Sequence, residues 1–225
     1  MSNREWIHNN KKFLEACKSG NYEDAMKYYQ YGDDLSTTYV AFSNSCKNGH
    51  LQIAQWLHSM HNHFHITAEF VSSCSAGQLI IAQWLLSISD ISTMEYVSYD
   101  AFRLSCINNH LHVAQWLHSE FVNVVNHFGY SYLFGTVCSL EYTHIAQWMF
   151  QINPNINISL AIHICLYKND NKYIIQWLCS LDPFVYRAPH FFDYNKSQML
   201  FILHSCSAHN YCVSADIATT ISEYL

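Results

Sequence analysis

One seven-residue string, written five times with small changes, constrains this chain more than any other feature. It occurs as IAQWLHS (53–59), IAQWLLS (81–87), VAQWLHS (113–119), IAQWMFQ (145–151) and IIQWLCS (174–180). The tryptophans Trp56, Trp84, Trp116, Trp148 and Trp177 are spaced 28, 32, 32 and 29 residues apart. A period of that length marks an array of small supersecondary units, each unable to bury its apolar face alone. Ten residues before the first four tryptophans stands Cys46, Cys74, Cys106 or Cys138, and four residues before each cysteine stands Phe42, Phe70, Phe102 or Phe134. The fifth copy has Cys165 two residues further from its tryptophan, which predicts an enlarged turn. Phe13, Cys17 and Gly20 open a first unit, and Ile202 and Cys206 fall in the same two columns of a last, eroded one.

Within a unit, Phe42 and Cys46 lie on one face of a first helix, at i and i+4. Gly20, Gly49, Gly77 and Asn109 share the next column, where a helix C-terminus wants a left-handed residue. Leu51, Ile53, Ala54, Trp56 and Leu57 then form the apolar face of a second helix, with Gln52, Gln55 and His58 on its polar side. Helices of two or three turns are too short to stand alone, so the units must pack on one another. The spacing predicts units at approximately 4–35, 36–65, 66–95, 96–128, 129–158 and 159–185, with a degenerate unit or cap at 186–225, all in one array over 1–225.

AFSNSCKNGHLQIAQWLHS (41–59) resembles the helix–turn–helix part of an ankyrin repeat, whose Gly-His-Leu turn stands here as Gly49-His50-Leu51. GNYEDAMKYYQYGDDLST (20–37) is similar to that family's Gly-Asn-Leu start and Gly-Ala-Asp-like hairpin. The family's Thr-Pro-Leu-His opening is missing from every unit, and the period mostly falls short of 33, which implies hairpin tips reduced to loops. The resemblance is to the divergent type found in giant DNA viruses and some protists. It implies an all-α, ankyrin-like helix–turn–helix repeat solenoid with short or degenerate hairpin loops. A tetratricopeptide array is the rival, but its signature tryptophan lies in the first helix.

The resemblance also implies a non-catalytic protein–protein interaction module whose partner contacts the hairpin tips and the two residues before each turn. Carried over, those pairs are Lys47 and Asn48, Ser75 and Ala76, Ile107 and Asn108, and Ser139 and Leu140. They vary between units while the Phe, Cys and Trp columns stay fixed. VSADIATTISEYL (213–225) weakly resembles the opening helix of an F-box, which would make the chain a substrate adaptor of a ubiquitin ligase; a capping helix is the other reading. The Leu-Pro that usually opens an F-box is replaced by Val213-Ser214.

Composition excludes several other classes. Half of the 225 residues are hydrophobic, enough for a sizeable core, so global disorder is not expected. The net charge is −6, and between Lys47 and Lys168 the only Lys or Arg is Arg103, so phosphate neutralisation by this stretch is not expected. No stretch has the length or apolarity of a membrane span or a signal peptide, so a cytoplasmic monomer is expected, in the host cytoplasm if the chain is viral. Nine cysteines include no C-x-x-C, and there is no G-x-S-x-G, P-loop or H-E-x-x-H, so neither an enzyme nor a cofactor is expected. His61, His63 and His65 alternate and would share a face of an extended strand, a weak metal-site candidate beside the plainer reading as a loop tip. Cysteines of successive units should sit about 8–10 Å apart, too far for disulfides, which leaves Cys165 with Cys179 and Cys206 with Cys212 as the only pairs to watch. Histidines buried between units, His50 and His110 foremost, should loosen the array between about pH 6.5 and 5.

Overall fold

A computed structural model describes residues 3–29, 35–61, 64–121, 129–168 and 172–182 of the chain. Among these residues every regular element is an α-helix, twelve in all. They are α1 (Asn3–Ser19), α2 (Tyr22–Tyr29), α3 (Leu35–Lys47), α4 (Leu51–Met60), α5 (Ile66–Ser75), α6 (Leu79–Ser87), α7 (Ile91–Ile107), α8 (Leu111–Glu120), α9 (Tyr130–Ser139), α10 (Thr143–Ile152), α11 (Ile158–Lys168) and α12 (Lys172–Leu181). None of the described helices is long and apolar enough to cross a membrane. The 186–225 segment, the 213–225 helix expected within it and His63 lie outside the described residues.

The chain divides into two compact units, 1–124 and 125–225. In the first, α1, α3, α5 and α7 pack in succession, and each also packs on the helix that follows it. In the second, α9 packs on α10 and on α11, and α11 packs on α12.

The sequence columns explain these contacts. Phe13, Phe42, Phe70 and Phe102 in the first unit, and Phe134 in the second, are completely buried, as is the cysteine four residues after each. The second helix of each pair buries its Ile-Ala-x-x-Leu face, as with Ile53, Ala54 and Leu57 on α4, and leaves Gln55, Gln83, Gln115 and Gln147 exposed. Fully burying one such apolar side chain contributes about 1.5–3 kcal/mol.

A further row of small polar residues links first helices. Ser45 Oγ on α3 donates to its own helix at Ala41 O (2.8 Å) and lies 3.4 Å from Cys17 O on α1. Ser105 Oγ on α7 does the same with Ala101 O (2.8 Å) and Cys74 O on α5 (3.1 Å).

The tryptophans depart from expectation. All five are half-buried rather than core. In the first unit Trp84 sits edge-on against Phe42 of the preceding pair, with ring centroids 6.3 Å apart, and Trp116 against Phe70 at 6.1 Å; in the second, Trp177 is tilted against Phe134 at 6.3 Å. The ring covers the neighbour's phenylalanine and keeps its outer edge in solvent, where Trp116 Nε1 donates to Glu120 Oε1 (3.1 Å).

One boundary also moves. The division expected at 95/96 falls inside α7, which begins at Ile91 because Asp90 caps it. The Asp90 carboxylate accepts from Ser92 N (3.4 Å) and also from the Ser92 hydroxyl. These bonds hold the Asp90 carboxyl below its usual range.

These burial differences order the cost of truncation. Phe102→Ala should destabilise by about 3–5 kcal/mol, Trp116→Ala by about 2–3 kcal/mol because its ring is only partly buried, and Gln115→Ala by less than about 0.5 kcal/mol. Urea titrations of the three variants check the order; equal losses would show that the helix faces are misassigned.

Candidate functional site

The candidate partner-facing residues lie where each first helix ends, and the chain turns there through a left-handed residue. Gly20, Gly49 and Gly77 have φ of 82°, 83° and 76°, and Asn109 and Glu141 take φ of 67° and 65° in the same place. At Gly49 the turn closes with His50 N donating to Ser45 O (2.9 Å) and Gly49 N to Cys46 O (3.2 Å). Gly77, Asn109 and Glu141 repeat the two bonds. This is the Schellman arrangement, which satisfies the last carbonyls of the helix.

In the first unit the glycines have a second reason to be glycine. A Cβ on Gly20 would lie 2.5 Å from His50 Nδ1, one on Gly49 2.3 Å from Gln78 Oε1, and one on Gly77 2.6 Å from His110 Nδ1. The residue after each turn therefore lays its side chain on the glycine of the preceding turn. His50 Nε2 reaches Lys18 O (2.8 Å), and His112 Nε2 reaches Gly77 O (3.1 Å). A carbonyl only accepts, so in both the Nε2 must carry the proton. Asn108 Nδ2 completes the row by donating to Ser75 Oγ (2.9 Å) and Ser75 O (3.1 Å).

Within this frame the eight expected residues separate. Lys47, Asn48 and Asn108 are exposed, Ser75, Ala76 and Ile107 are half-buried, and Leu140 is 37% exposed. Ser75 and Asn108 are brought together by the hydrogen bonds above. Ser139 is only 1% exposed; its hydroxyl donates to Thr136 O (2.8 Å), so this side chain faces inward, away from any partner. The reason lies in the helix: Ser139 follows Cys138 on the last turn of α9, in a run that also buries Val137.

The two described histidines of the 61–65 segment engage different neighbours. His61 Nε2 pairs with Tyr29 Oη at 2.8 Å, whereas the His65 ring packs edge-on against Tyr39 on α3 (5.8 Å). No group of three metal-ligating side chains gathers among the described residues.

Burial keeps the column thiols protonated. It pushes Cys17 up to about 12 against a smaller opposing effect of a hydrogen bond with Ser45, and raises Cys46, Cys74 and Cys106 as well. A thiol so held is a poor nucleophile. On α9 the Cys138 thiol is raised as well, by a hydrogen bond with Cys165 on α11 and then by burial.

His110 is the titratable group of the turn row with a defined response. Burial, and then the charge of His112, lower it from 6.5 against the opposing effect of a hydrogen bond to the Ser75 backbone. Set beside known proteins, the chain matches no family model and no curated sequence.

Two measurements follow. Glu141→Gly removes a side chain from a left-handed position and should raise stability by up to about 1 kcal/mol, whereas Gly49→Ala should lower the melting temperature; the opposite signs would refute the turn geometry. The lowered folded-state pKa of His110 means that the unfolded chain binds its proton first. Its contribution is present above the unfolded value near 6.5 and is lost as pH falls below it. His110→Gln, which places here the residue found at Gln78, should therefore narrow the gap between melting temperatures at pH 7.5 and 5.5. An unchanged gap would remove His110 as the cause.

Proposed function

We propose that this chain is a non-catalytic protein-binding module, an ankyrin-like array of helix pairs that presents its turn residues to a partner protein. The observation that carries this reading is a contrast along the turns. Phe, Cys and the left-handed turn residue recur with the same burial and the same φ, while the two positions just before the turn change chemistry from pair to pair. Lys47-Asn48, Ser75-Ala76 and Ile107-Asn108 thus offer a cationic, a small and an amide-bearing surface on one frame. Rigid helix ends are a sound place to mount recognition, because little backbone entropy is lost on binding. The seven described cysteines are free thiols, which supports a reducing, cytoplasmic setting.

Affinity capture from the native cell, with the full chain as bait, tests the proposal. A Lys47→Glu/Asn48→Glu variant should lose a specific captured protein about tenfold, equivalent to about 1.4 kcal/mol. A Gln55→Ala/Gln115→Ala variant, altered on the opposite polar faces, should retain it. Capture that ignores the turn substitutions, or falls equally in both variants, would count against the turns as the binding surface.

A further inference from the structure

In the second unit, one glycine changes how two first helices meet. Three residues before the column cysteine the other pairs carry Leu14, Ser43, Val71, Arg103 and Ile162; α9 alone carries Gly135 there. A Cβ at Gly135 would lie 2.6 Å from Ile164 Cδ1 and 3.1 Å from the Cα of Ala161, both on α11. The missing side chain lets α11 come against the α9 backbone itself. One turn further along, three residues after Gly135 and four after Ala161, stand Cys138 and Cys165, both completely buried where the two helices pack together. Among the described residues the other column cysteines, Cys17, Cys46, Cys74 and Cys106, show no thiol–thiol contact.

We propose that Cys138 and Cys165 are a redox pair that closes, under peroxide or disulfide stress, into a reversible disulfide clamping α9 to α11. A Cα separation below about 7 Å is what a disulfide needs, and the Gly135–Ala161 approach supplies the close helix packing that the bulkier columns lack. With a peroxide as oxidant, one thiol loses its proton and attacks a peroxide oxygen, giving a sulfenic acid and releasing water. The second sulfur attacks the sulfenyl sulfur, forms the S–S bond and expels a second water. Two thiols give up two electrons and two protons; the peroxide is reduced to two waters. The surrounding apolar packing shields both sulfurs, so closure proceeds through transient opening of the helix pair and is slow in the resting fold. The clamp is independent of what the turns bind.

The experiment treats the folded, reduced full chain with hydrogen peroxide, in parallel with the same chain in denaturant, and maps disulfide-linked peptides by mass spectrometry. The folded protein should yield Cys138–Cys165 as its dominant intramolecular link, lost on adding dithiothreitol, with a raised melting temperature. In denaturant the links should scatter over the nine cysteines. Cys165→Ala should abolish the link, and Cys179→Ala, a neighbour on α12, should leave it intact. A dominant link elsewhere, or none at a peroxide dose that oxidises the denatured thiols, would overturn the proposal. Because the peptide map is read on the unaltered chain, it decides the matter even if a cysteine variant fails to fold.

Discussion

Nine of the twelve described helices are only eight to eleven residues long, and at that length a helix in water is marginal whatever its sequence. Everything else depends on how each finds a surface to lie on. The phenylalanine and cysteine of every first helix are the answer in the first unit: they fill the space between one odd-numbered helix and the next, while Ser45 and Ser105 tie α3 to α1 and α7 to α5 through carbonyls. These hydroxyls stand at a position where a larger residue would hold the helices apart. The row is not flawless, since Ser73 Oγ in the same place is buried without a partner. Glu69 is the larger exception. It is 3% exposed at a position where other pairs put Ala41, Ala101 and Leu133, and burial raises its carboxyl above 4.5, offset by Ser43 and His65. A neutral, protonated Glu69 fits that site better than a charged one, so its influence on stability with pH opposes that of His110.

The parts legible in the sequence are those where the same residue type recurs at a fixed offset. The Phe and Cys columns and the left-handed turn residues could be read because a residue type was repeated at a fixed offset, and one physical demand explains each. The tryptophans were equally repeated, yet their placement was not readable. Periodicity assigns Trp116 to the apolar face of α8 but cannot say that the ring leans over Phe70 of the preceding pair and stays half in water. The same limit explains Asp90. Its Asp-Ile-Ser-Thr context is a helix start in its own right, whereas the tryptophan column fixes only the length of a unit and not where its first helix is capped.

The candidate site was legible in outline, as turns, and not in its working contacts. Nothing in a list of columns says that His50 and His110 lie upon the glycines of the turns before them, because that contact joins residues 30 and 33 positions apart. Nor does it separate Ser139, which faces inward, from Asn108, which faces out and binds Ser75. The close approach of α11 to α9 depends on Gly135, a residue that belongs to no column. A single exception in an otherwise regular pattern carries more information than the pattern when the question is where chemistry differs.

The turn row also shows what the short helices surrender. Each second helix from α4 to α10 begins after His50, Gln78, His110 or Tyr142, and none of these side chains bonds the free N–H groups of its own first turn. A serine or aspartate there would contribute about 1 kcal/mol to the helix, as Asn21 does for α2 by accepting from Asp24 N (3.1 Å). In the first unit, His50, Gln78 and His110 are instead laid on the preceding glycine. Local stability is thereby exchanged for contact between pairs. A pair of this kind is weaker alone than its sequence could make it and stronger beside its neighbour. Folding within the first unit should consequently be cooperative, because the turns at Gly20, Gly49 and Gly77 are each finished by a side chain that only the next pair can supply.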